Sequence, residues 1–294
     1  FGVDVIGEPK VFSLPFVGTL MDSFGPGLPH HLAKYNKHLV LGQRNGRPVE
    51  GMILTRLAVR LIQPTPGLPL PPRCVEVVGE HRELQPLVQA DLAGIALLNH
   101  YVVDMDEVRA WAGTLARRRA IIRADRGVLL DDPLPTGGGP LLAAGVEWRL
   151  AALSPREDSE LESVVLDIIR WHERGHMADF LYFLPVLRRP WRSLALVLRN
   201  GLDALHVGAE MEGRAELVAL ALSPHTRLVL AHLAGFVDGD PRGSPHAIGF
   251  RSMVEALQAE LGKRGCEHAA VRQWHRADPE VVRAAARELL GRMW

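Results

Sequence analysis

Trp171-His172-Glu173-Arg174-Gly175-His176 is the stretch on which the reading of this chain turns: two histidines stand four residues apart, with a glutamate beside the first. On a helix that spacing sets one side chain a turn above the other on the same face, so both imidazoles can offer a nitrogen to one metal ion. Glu173 would then reach a water held by that ion, where a carboxylate can act as general base. The surrounding sequence predicts the helix. Leu161, Val164, Ile168, His172, His176 and Phe180 recur at three- and four-residue spacing, which puts both histidines on the core-facing stripe. Upstream, Ser154-Pro155-Arg156-Glu157 has the chemistry of a helix start, with serine as N-cap, proline at the first helical position and glutamate completing a capping box.

A catalytic zinc site takes three protein ligands and leaves the fourth position to water. The metzincin pattern would supply a histidine at 182 and a glycine at 179, but those positions hold Tyr182 and Asp179. A di-iron carboxylate bundle needs a second Glu-x-x-His, and no other glutamate has a histidine three residues on. Downstream, Glu210-Met211-Glu212-Gly213-Arg214-Ala215-Glu216 leads into the apolar run Leu217-Val218-Ala219-Leu220-Ala221, and Glu212 and Glu216 stand one helical turn apart.

In these two segments, between Ser154 and Leu222, the chain resembles the gluzincin group of zinc metallopeptidases. The third ligand of that group is a glutamate on a later helix, often followed one turn on by a second acid. The resemblance implies Zn2+ held by His172, His176 and Glu212, with Glu173 activating a zinc-bound water and Glu216 accepting from a ligand imidazole. It implies a zinc-dependent hydrolase of peptide bonds acting on a polypeptide or protein. Glu210 stands as a rival third ligand, because a small error in helix phase exchanges it for Glu212. Arg170 and Arg174 flank the buried stripe and are expected to reach solvent on their long stems. The same residues also allow a non-catalytic scaffold or partner-binding protein, whose structural or degenerate zinc site a fourth ligand would close.

Hydrolysis of an amide develops negative charge on the carbonyl oxygen, so a donor opposite the metal is expected. His246, His225, His206 and Tyr182 are the candidates, and His246 is chosen: it follows Ser244-Pro245 near a helix N-terminus, where the dipole favours a neutral imidazole donor.

Composition bounds the rest. At 294 residues, 47% hydrophobic and 23% charged, the chain is long enough for one large domain or two smaller ones. Lys+Arg and Asp+Glu balance at 34 each, which argues against a general electrostatic role on nucleic acid, and runs such as Arg117-Arg118-Arg119 and Arg188-Arg189 read as solvated helix ends. Cys74 and Cys266 make neither a disulfide framework nor a Cys-x-x-Cys clip. No apolar run reaches the roughly 20 residues of a membrane span. The chain begins at Phe1 without a charged-then-apolar leader, so a preceding piece is expected to have been removed, and neither compartment nor oligomeric state can be read.

The expected architecture is α+β, with a strand-rich N-terminal part at 1–150 packed on a helical, zincin-like, metal-binding part at 151–294. Val49 to Gln63 and Cys74 to Val78 read as strands, Pro64 to Pro72 as a loop, Asp106 to Ile122 as a helix, and the Gly137-Gly138-Gly139 region as a boundary or flap. Asn99-His100-Tyr101 lies between apolar runs, where it lines a cleft or makes buried strand polarity. Ser223-Pro224, Ser244-Pro245 and Asp278-Pro279 mark three further helix starts. By the resemblance, the first-half sheet supplies an edge strand that pairs with an extended substrate.

Overall fold

The computed structural model describes residues 39–44, 47–51, 55–80, 94–97, 100–124, 141–154, 157–183, 189–239 and 244–294. The Gly137-Gly138-Gly139 region lies outside them. The chain divides into two compact units, Phe1–Ile53 with Pro86–Asp91, and Leu54–Gln85 with Leu92–Trp294, so the second runs across position 150. Of the first unit the described part is an antiparallel hairpin, β1 (Leu39–Arg44) with β2 (Arg47–Gly51).

The second unit is mostly helical with one sheet, an α+β arrangement. Its four strands are β3 (Thr55–Leu61), β4 (Val75–Glu80), β5 (Gly94–Leu97) and β6 (His100–Asp104), in the order β3-β4-β6-β5. β4 and β6 run parallel in the middle, from Val75 opposite His100 to Gly79 opposite Asp104, while β5 folds back antiparallel to β6 at one edge. β-branched residues fill the central pair, and Tyr101 and Val103 are fully buried where the sheet meets the helices.

Eight α-helices are described: α1 (Met105–Ala124), α2 (Leu141–Ala152), α3 (Leu161–Phe183), α4 (Pro190–Arg199), α5 (Ala204–Leu222), α6 (Thr226–Gly239), α7 (Pro245–Lys263) and α8 (Pro279–Met293). None is long and apolar enough to cross a membrane. α5 is the central one. From Gly213 to Ala221 every residue is buried, as expected of a helix surrounded by others, here α3, α6, α7 and α8. Capping chemistry sets the starts of α7 and α8, where Ser244 accepts from the Ala247 N–H at 3.1 Å and Asp278 from that of Glu280 at 2.9 Å. The Ser223 hydroxyl accepts from His225 N–H at 3.1 Å, and α6 begins just beyond it.

Three expectations are corrected. Arg117-Arg118-Arg119 is no solvated helix end: it lies inside α1, with Arg119 fully buried beside Asp158 at 3.0 Å. The start before α3 lies at Glu157 rather than Ser154: a short 3-10 turn (Asp158–Glu160) precedes the helix, and the Glu160 carboxylate accepts from the Glu157 N–H at 2.9 Å. Arg170 does not run to solvent. Its guanidinium donates to both carboxylate oxygens of Glu76 on β4, at 2.8 and 2.9 Å. Glu76, 1% exposed, also accepts from Tyr101 and Arg60, so one carboxylate ties three strands to α3. Tyr101 therefore makes buried strand polarity. Arg174 stacks on Trp171, 4.8 Å from the ring centre. Cys74 and Cys266 are both free thiols, and burial pushes the Cys74 thiol up to about 11.

Candidate metal centre

α3 carries His172, Glu173 and His176, and α5 carries Glu212 and Glu216. The two helices can bring these groups together because Gly175, the small residue inside the motif, lies on the backbone of α5: an added Cβ would stand 2.6 Å from Cα of Ala215. Behind the crossing, Asp179 and Arg214 form a fully buried pair at 2.8 and 3.0 Å, and the Trp294 indole N–H donates to Asp179 at 2.9 Å. This pair joins the two helices that carry the candidate ligands.

At the site, Nε2 of His172, Nε2 of His176 and Oε2 of Glu212 form a nearly equilateral triangle, with edges of 3.1, 3.2 and 3.2 Å. Bonds of 2.0–2.1 Å in a tetrahedral zinc site place ligand atoms about 3.3 Å apart. The triangle matches one face of that tetrahedron. These three residues are also, among those described, the set of His, Cys, Asp and Glu whose ligand atoms lie close enough together to hold an ion, all within 4.8 Å of one another. A two-histidine, one-carboxylate set suits a divalent transition metal such as zinc or iron(II).

Glu216 orients the ring of His172. One of its oxygens lies 2.9 Å from Nδ1 of His172 and the other 2.9 Å from Nδ1 of His232 on α6. A carboxylate only accepts, so both Nδ1 atoms carry hydrogen, and Nε2 is the nitrogen of His172 that faces the triangle. Burial pushes the Glu216 carboxyl up, but His232 and His172 outweigh it and hold it at about 2. Glu212 behaves alike: burial opposes ionisation, yet His246, His176 and His172 keep it well below the usual carboxylate range. The histidines respond in kind, His172 being raised well above its ordinary value by Glu212 and Glu216 despite burial. Two buried carboxylates thus demand positive charge at this point, which protonated imidazoles or a cation can provide.

Glu173 faces a different environment. It is 4% exposed, and its Oε2 is buried without a hydrogen-bond partner among the described residues. Burial raises its pKa above the ordinary carboxylate value, although His176 and His172 pull the other way. Its side chain fits because Gly94, the first residue of β5, leaves room: an added Cβ would stand 2.8 Å from Cδ of Glu173.

The remaining candidates separate clearly. Glu210 is turned away from the triangle and paired with Arg199 and Arg214. His246 is at the site: its ring stacks parallel to His172 with centroids 6.2 Å apart, and its Nε2 lies 3.0 Å from Glu212 Oε2. His225 faces Asp167 at 3.6 Å, His206 faces Asp203 at 2.6 Å, and Tyr182 stacks on Trp294. Phe250 of α7 packs edge-on against His172, His232 and His246, forming an apolar wall. Sequence reasoning missed Gly94 and His232. Neither had a local signal, since each acts on a residue distant in the chain. No protein-family model, curated protein or solved structure matches this chain.

Proposed function

We propose that the protein is a gluzincin-type zinc peptidase with a zincin-like fold, in which His172, His176 and Glu212 hold the metal and Glu173 is the general base. The observation that carries this reading is a buried Glu173 oxygen with no hydrogen-bond partner among the described residues, close enough to feel the charges of His172, His176 and Glu212, whose ligand atoms converge. A bound zinc would supply Lewis acidity, polarising a scissile carbonyl and acidifying a water. Glu173 takes the proton from the attacking water and passes it to the leaving amine, and its burial-raised pKa suits a group that must both accept and release a proton. Glu216 orients His172, and His232 helps hold Glu216. His246, whose Nε2 lies beside Glu212, would donate to a developing oxyanion.

The sheet supports a polypeptide substrate. β5 is an edge strand whose described pairing is to β6 alone, and its Gly94 lies against the base. An extended peptide adding to that edge would lie along the site. The alternative, a closed structural site, draws on the contact between His246 and Glu212, but His246 is outside the set of mutually close ligand atoms.

Digestion of a broad peptide library by wild-type protein and Glu173→Gln tests the reading. The variant is expected to keep its zinc and lose about 10²–10⁴-fold in turnover. Full activity in that variant would refute the assigned mechanism.

A further inference from the structure

α4 presents its apolar side outward. Trp191, Leu194, Ala195 and Leu198 share one arc of this helix, and the turn after it adds Leu202. Trp191 is 80% exposed, Leu198 56%, Leu202 49% and Leu194 45%. The opposite side is docked. The Ser193 hydroxyl donates to the Phe183 carbonyl at the end of α3, Leu196 is buried, and the Asn200 amide donates to the Leu196 carbonyl at 2.8 Å and to Glu210. An ordinary surface helix turns its apolar stripe to the core. This one is held in reverse by polar bonds on its inner face.

The charge around the arc says what would cover it. From Arg189 to Leu202 the sequence holds Arg189, Arg192 and Arg199 and no aspartate or glutamate, with Asp203 next, beside His206. Arg199 is paired with Glu210, whereas Arg189 and Arg192 are exposed, their guanidinium carbons 5.7 and 5.3 Å from the centre of the Tyr182 ring. Tryptophan and leucine on one face with arginines beside them match the headgroup boundary of an anionic bilayer, where apolar side chains enter the acyl region and guanidinium groups meet phosphates. A two-fold contact between copies would instead set the arginines of one beside those of the other, with no acid in the segment to offset them.

We propose that α4 is an interfacial anchor that lays this protein on membrane surfaces rich in anionic phospholipid. The anchor lies on the bilayer and does not span it, and it is independent of the metal centre. Flotation of the purified chain with vesicles of phosphatidylglycerol and phosphatidylcholine in equal parts, and with phosphatidylcholine alone, tests this. Wild-type protein is expected to bind the anionic vesicles about tenfold more tightly than the neutral ones, less so at high salt. Trp191→Ser combined with Leu198→Ser should weaken binding by on the order of tenfold without changing the thermal midpoint, because both side chains are exposed. Arg189→Glu with Arg192→Glu should erase the preference for anionic lipid. Failure of the wild type to float with anionic vesicles, or equal flotation of Trp191→Ser/Leu198→Ser, overturns the proposal. So does a dimer that the same double variant dissolves while no vesicle is bound.

Discussion

Gly94 and Glu173 are fitted to each other across the boundary between sheet and helix: the edge strand omits a side chain where the carboxylate of α3 needs the space. A methyl group at 94 would displace that carboxylate while leaving His172, His176 and Glu212 untouched. Gly94→Ala is therefore expected to keep its zinc and lose on the order of 10²-fold in peptide cleavage. Metal content and turnover measured on the same preparation check this. Joint loss of both would show that Gly94 supports the ligands instead.

Glu216 contacts two imidazoles with its two oxygens, and an amide cannot accept at both positions. Glu216→Gln should weaken zinc binding about 10–100-fold by releasing the tautomer and tilt of His172. Competition with a chelating dye reads the affinity directly. An unchanged value would mean that packing against Phe250 alone orients the ring.

Two glycine substitutions should act in opposite directions. Gly175→Ala drives a methyl into the α5 backbone at Ala215 and should cost roughly 1–3 kcal/mol of stability. Gly291→Ala, in α8 with nothing within 4 Å of the added Cβ, should be neutral or stabilise by up to about 1 kcal/mol. Denaturant midpoints of the two variants provide the comparison.

Glu76 gives a pH dependence with a definite sign. Burial pushes its carboxyl up, but Arg170, Tyr101 and Arg60 outweigh burial and hold it below the ordinary 4.5. The folded state thus favours the ionised form. Its contribution is complete above the unfolded-state value near 4.5 and is lost as pH falls from there through the folded-state value. Glu76→Gln should be less stable than wild type at neutral pH, by about 3 kcal/mol for a broken buried pair, with the gap narrowing in acid. Thermal midpoints across pH would show this convergence, and parallel curves would contradict it.

What was legible in the sequence is what local periodicity carries. The shared face of His172 and His176 follows from helical spacing on an apolar stripe, whereas the choice of Glu212 and Glu216 came from the resemblance to the gluzincin pattern. The choice of Glu212 over Glu210 rests on helix phase, which tertiary partners decide: Arg199 and Arg214 take Glu210 out of the site. Arg170 departs from its expected solvent position for the same reason, since its partner Glu76 lies on a strand far away in the chain. Gly94 and His232 were invisible because their meaning is spatial: one is a missing Cβ opposite Glu173, the other shares a carboxylate with His172. The outward apolar face of α4 also escaped notice, because a stripe read from sequence does not say which side the fold turns inward.

The proposal that His172, His176 and Glu212 hold zinc beside a general base stands or falls with metal analysis of the purified chain. About one zinc ion per chain is expected, retained in Glu173→Gln and lost in His176→Ala. A chain that holds no zinc after reconstitution, or that holds it equally well without His176, would contradict it.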